Sequence, residues 1–109
     1  MKHLSDTFAA LGDPTRLAIV ERLLARGALS AGELQNVADV SAPAISRHLK
    51  VLREAGILTR EIDGQRRIYS VAPAQVRAIH DWTISHKAFW TGALDRLADA
   101  LGERDDIHD

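Results

Sequence analysis

The residues with chemistry to offer in this chain are cations. Arg47, Lys50 and Arg53 stand three apart inside "SAPAISRHLKVLREAG", and Arg60, Arg66 and Arg67 follow shortly after. Guanidinium and ammonium groups donate several hydrogen bonds and accept none, so a cluster of them suits an oxyanion, phosphate above all. Between Ser41 and Arg67 these six cations face only Glu54, Glu61 and Asp63, a local balance of +3. From Asp95 to Asp109 the sign reverses to -4, and the whole chain of 109 residues sums to -1. That sum is low for a nucleic-acid-binding domain, so distribution rather than net charge points to one.

Other chemistries find no footing. The chain has no Cys, which excludes disulfides, thiolate metal sites and cysteine redox sensing. It carries no phosphate loop, no HExxH and no nucleophile elbow, and its Ser, His and Asp residues form no recognisable active-site motif, so an enzyme is not expected. With 46% apolar and 27% charged residues the composition is that of a soluble globular protein. Asp6 interrupts the start, where a signal peptide needs an apolar core, and no apolar run is long enough to span a bilayer. The expected setting is one domain over 1–109 in the cytoplasm, with no membrane contact.

The elements that must position the cations can be read from periodicity and capping. Leu4, Phe8 and Leu11 mark a short helix that Gly12 can end by taking a positive φ. Asp13 is placed to cap the next helix and Pro14 fits its first turn, with Leu17, Val20, Leu23 and Leu24 on one face. Ser30 and Glu33 form a capping-box pattern opening a short helix through "AGELQNVA", with Leu34 and Val37 inward. Ser41 caps another, over 41–55, with Pro43 in its first turn and Gly56 beyond its end. The pair over 30–56, joined by a turn of a few residues, has the organisation of a helix-turn-helix.

At roughly 100° per residue, Ile45, Leu49 and Leu52 gather on one side of the second helix. Arg47, Lys50 and Glu54 lie opposite, with Ser46 and Arg53 on a flank. Residues 57–71 then change period: two β-prone runs, Ile57 to Ile62 and Arg67 to Val71, are separated by "DGQR", whose Asp63-Gly64 is a hairpin signal. A basic hairpin after a helix-turn-helix is a winged helix, whose second helix enters the major groove of double-stranded DNA while the wing reaches backbone or minor groove. The expected fold is mainly α with a β-hairpin, about five helices plus a two-stranded wing.

From Pro73 to Leu101 one apolar pattern recurs at spacings of three and four, through Val76, Ile79, Thr83, His86, Trp90, Leu94, Leu97 and Leu101. A single helix over 73–101 would run about 40 Å, more than so small a domain can cover. With Trp82 and Phe89 beside the stripe, a second copy of the chain is the expected cover. The end of the chain, 102–109, reads as an acidic tail.

The stretches "LGDPTRLAIVERLL", "SAPAISRHLKVLREAGILTRE" and "DGQRRIYSV" resemble the bacterial ArsR/SmtB-type winged-helix repressors over Phe8 to Val71. The resemblance implies a homodimer joined through the first and last helices, with Leu4, Phe8, Ile79, Trp82, His86, Phe89, Trp90, Leu94 and Leu97 at the interface. It implies an inverted-repeat operator and repression of transcription. By position, Ser41, Ala42, Ala44, Ser46, Arg47 and His48 fall on the DNA-reading stretch, with phosphate contacts from Lys50, Arg53, Arg60, Arg66 and Arg67. Ala42 stands where members often carry Gln, so a bidentate amide contact to adenine is missing and the target sequence cannot be borrowed from relatives.

The family's thiolate positions align with Ser30 and Gly32, neither a soft ligand. A second family metal site uses the last helix, where this chain has His80, Asp81 and His86. His80 and His86 are six apart, near opposite sides of a helix, so neither a metal nor another cofactor is expected.

Blander readings stand beside these. Isolated cations commonly just solvate a helix. His48 fits either a half-buried packing position or a phosphate contact, and His86 fits interface packing better than pH sensing. Trp82, Phe89 and Trp90 suit a core or dimer contact better than an effector pocket. The residues identify no effector. The alternative function is a winged-helix protein-interaction module that has lost DNA binding.

Overall fold

The computed structural model describes residues 3–102. They fall into two compact units divided between Ala78 and Ile79, where the sequence predicted one domain. The expected acidic tail lies, beyond Gly102, outside the described residues.

The first unit holds α1 (Leu4–Leu11), α2 (Pro14–Arg26), β1 (Leu29–Ser30), α3 (Ala31–Leu34) with a 3-10 turn at Gln35–Val37, α4 (Ala42–Glu54), β2 (Leu58–Asp63), β3 (Arg66–Val71) and the start of α5 (Pro73–Ser85). The predicted caps are made. Asp13 Oδ2 accepts from the N–H groups of Thr15 and Arg16 at 2.9 and 3.0 Å, and Ser41 Oγ accepts from Ala44 N–H at 3.2 Å. Ser30 and Glu33 close a reciprocal capping box, with Ser30 N–H donating to Glu33 Oε1 at 2.9 Å and Glu33 N–H to Ser30 Oγ at 3.2 Å. These satisfy backbone donors that a helix start otherwise leaves unpaired.

Two local expectations are corrected. Gly12 has φ -74°, not a positive value; its N–H bonds Ala9 O at 3.1 Å, tightening the last turn of α1. On α2 the buried face is Ile19, Val20 and Leu23, while Leu17 and Leu24 are 44% and 59% exposed. The sequence pattern placed the inward stripe one flank away from where α2 packs.

Ile45, Leu49 and Leu52 of α4 are buried as the stripe requires, against Ile19, Leu23, Leu34, Ile57 and Leu58. Truncating fully buried Leu52 to Ala here would cost about 2–5 kcal/mol, transfer and cavity terms together. The hairpin pairs Leu58 with Val71, Arg60 with Tyr69 and Asp63 with Arg66, leaving Gly64-Gln65 as its two-residue loop. Gly64 takes φ 65°, the left-handed value that the favoured hairpin turns need at their first loop position. The wing is the expected two-stranded hairpin, and β1 extends its sheet by pairing antiparallel with β3, Leu29 opposite Tyr69 and Ser30 opposite Ile68, in the order β1-β3-β2. That strand ties the start of the helix-turn-helix to the wing.

The apolar period predicts a single helix over 73–101. The chain breaks at His86 into α5 (Pro73–Ser85) and α6 (Lys87–Leu101). The carbonyl of Trp82 accepts from Ser85 Oγ and from His86 Nδ1, each at 2.9 Å, and from the His86 N–H at 3.2 Å. Side-chain donors crowding one helical carbonyl are an identifiable cause of a bend. In the second unit Trp82 stacks on His86 at 4.7 Å, and Phe89 meets Trp90 edge-on at 5.1 Å.

Candidate nucleic-acid interface

α4 sets Ser46, Arg47, Lys50 and Arg53 along its outward side because its i, i+4, i+7 stripe is locked into the core. Strand alternation does the same for the wing. Arg60, Tyr69, Ile62 and Arg67 share one sheet face through the Arg60–Tyr69 and Ile62–Arg67 pairs. The two elements enclose a cleft of about 410 Å³ lined by Ala31, Ser46, Arg47, Lys50, Arg53, Arg60, Arg67 and Tyr69. Five cations line it and no carboxylate does. A concave surface lined by one sign of charge focuses its field outward and raises the local concentration of a polyanion.

Most of the predicted contact residues therefore converge. The rest lie elsewhere. Ser41 and Ala42 are exposed at the start of α4, the Ser41 hydroxyl being used as the cap, and Ala44 is half-buried. Arg66 leaves the cleft lining to pair with Glu33, Nη2 to Oε1 at 3.3 Å. His48 is also outside it: its Nδ1 accepts from Arg16 Nη1 at 3.3 Å and lies 3.9 Å from Asp13 Oδ2. It joins α4 to the start of α2. Arg16 also donates from Nε to Ala10 O at 2.6 Å, so one guanidinium joins α1, α2 and α4.

Two carboxylates are tuned by these contacts. Asp13 sits below its ordinary value of 3.8, chiefly because the Arg16 N–H bonds it, with His48, Thr15 and the Arg16 charge adding to the effect. Glu33 sits below 4.5, chiefly through the Ser30 N–H, then the Ser30 hydroxyl and Arg66. Both stay ionised, one anchoring α2 and the other the wing. Sequence reasoning missed Tyr69 as a lining residue and Glu33 as a partner for the wing. The strand period with the "DGQR" turn could have located the first; pairing over 33 residues leaves no local signal for the second.

Comparison with known proteins decides the family. A helix-turn-helix domain family matches residues 11–61. The chain is 42% identical over 97 residues to the HTH-type transcriptional regulator Rv2034 of Mycobacterium tuberculosis, covering 89% of this chain and 87% of that protein. It is 37% identical over 102 residues to the arsenic resistance transcriptional regulator ArsR1 of Pseudomonas putida, covering 89% and 78%. A crystal structure described as an ArsR family transcriptional regulator superposes with TM-score 0.72 at 28% identity, over 81% of this chain and 96% of that one. The chain belongs to the ArsR family of transcriptional regulators.

For an ArsR family protein the winged helix-turn-helix is a DNA-binding scaffold, and the family is not an enzymatic one. The wing and α4 described above are the parts such a scaffold presents to a duplex. Among the described residues, no group of three or more His, Asp or Glu side chains is placed to hold a metal ion, and His80 pairs only with Asp81, at 3.4 Å. No helix among them is long and apolar enough to cross a membrane.

Proposed function

We propose that the protein is a homodimeric repressor whose cleft between α4 and the wing grips an inverted-repeat operator in the cytoplasm. The observation that carries this reading is the cleft itself, five cations with no carboxylate between them. Lys50, Arg53, Arg60 and Arg67 take phosphates and supply the salt-dependent affinity, while Ser46 and Arg47 on the outer side of α4 reach base edges. Ala42 offers no amide, so the reading at that position is done by shape or apolar contact.

The dimer reading is supported by α6. Phe89, Trp90, Leu94, Leu97 and Leu101 are 60%, 45%, 63%, 56% and 61% exposed, far more apolar surface than a single helix normally leaves to water. Ile79, Trp82 and His86 in the same unit, and separately Leu4 and Phe8 on α1, are proposed contacts with the second copy. A two-fold dimer would place its two α4 helices about one DNA turn, roughly 34 Å, apart. Genomic DNA selection by the purified protein, followed by a mobility-shift titration on the best site, tests the reading. A palindromic site bound by two chains is the expected result; flat, sequence-independent enrichment counts against it.

A further inference from the structure

Tyr69 is 5% exposed, with its ring in the core, yet it lines the cleft. Among the described residues its hydroxyl makes no hydrogen bond, and no fully buried side-chain oxygen or nitrogen lacks a partner. The hydroxyl therefore keeps some solvent access on a side chain that lines the cleft, a donor with no partner among the described residues. Arg60 is its cross-strand neighbour, and half-buried Arg53 lines the same cleft from α4. Among the described residues, neither guanidinium has a side-chain partner.

From this juxtaposition we infer that the cleft floor is a seat for one phosphate group, with the Tyr69 hydroxyl donating to one oxygen and Arg53 and Arg60 to the others. A neutral donor in the same cleft as two guanidiniums suits a tetrahedral oxyanion, because it fixes orientation where the charges alone would only attract. A burial of nine-tenths or more leaves the ring no freedom, so the hydroxyl is positioned before the ligand arrives. The phosphate can come from two sources, a diester of the DNA backbone or a free oligophosphate that would then compete with DNA. This deepens the DNA-binding reading and rests on it only for the first source.

The test compares wild type with Tyr69→Phe, which keeps the ring and the core packing, and with Arg60→Gln. Each is titrated with a mixed-sequence duplex across a range of salt and, without DNA, with inorganic pyrophosphate by calorimetry. Tyr69→Phe is expected to weaken binding about tenfold, as for a lost hydrogen bond to a charged acceptor, without changing the salt slope. Arg60→Gln is expected to lower that slope by about 0.9. Loss in the duplex arm alone assigns the seat to backbone phosphate, loss in the pyrophosphate arm alone to a free anion, and loss in both to either. If Tyr69→Phe binds duplex and pyrophosphate as wild type does, the seat is overturned while the DNA reading stands. If wild type binds pyrophosphate in a Tyr69-dependent way but no duplex, the DNA reading fails and the seat stands; binding of neither overturns both.

Discussion

Glu33 and Arg66 meet at 3.3 Å, the acid that opens α3 holding the arginine that begins β3. The same Oε1 accepts the Ser30 N–H at 2.9 Å, so the carboxylate joins the helix-turn-helix to the wing and masks one wing cation. Glu33→Gln keeps an oxygen for Ser30 but releases Arg66 to phosphate. Duplex affinity should rise several-fold at low salt, and the slope of log K against log salt should steepen by about 0.9. Fluorescence anisotropy over a salt series reads both; an unchanged slope would show that Arg66 does not reach DNA.

Arg47 and Arg67 line one cleft from different elements and should fail differently. Arg47→Ala removes the proposed base-edge contact and should cost about 1–3 kcal/mol on the selected site while barely affecting random duplex. Arg67→Ala should weaken both alike. Selection experiments on each variant separate the two, and equal loss of specificity would refute the division of labour.

Asp13 links acid stability to the α1–α2 joint. Its folded value is lowered, so the stabilisation it gives is full above the ordinary 3.8 and is lost as pH falls through the folded value. Asp13→Asn still caps α2 but does not titrate. Urea midpoints should therefore differ between wild type and variant near neutrality and converge on acidification below about pH 4. Parallel curves down to the acid limit would mean that the ionised cap contributes nothing.

Leu94, 63% exposed on α6, is a test position for the proposed dimer. Leu94→Glu adds a charge to an apolar face without disturbing any buried side chain of the second unit. Sedimentation should show a shift from dimer to monomer, and operator affinity should fall by at least about a hundredfold as the two half-sites uncouple. A variant that stays dimeric would remove α6 from the interface.

The parts of the molecule legible in the sequence are those governed by local rules. The caps at Asp13, Ser30 and Ser41 and the buried stripe Ile45, Leu49, Leu52 follow from spacing alone, and so does the outward set of cations. What was not legible depends on contacts between distant segments. β1 is two residues long and exists only because Leu29 and Ser30 find β3. The inward face of α2 depends on which side its neighbours occupy, which Leu17 and Leu24 could not reveal. The break at His86 keeps the apolar period on both sides and involves neither Pro nor Gly; its cause is competition by Ser85 and His86 for the Trp82 carbonyl.

The central claim, that the cleft between α4 and the wing is where DNA phosphates bind, is tested most directly by salt dependence. Duplex affinity of wild type and of Arg53→Gln/Arg60→Gln/Arg67→Gln is measured across a salt series, with thermal unfolding as a check on folding. The slope of log K against log salt should become shallower by about 2.7 in the triple variant, one released counterion contribution of roughly 0.9 for each cation lost. A correctly folded triple variant with the wild-type slope would contradict it.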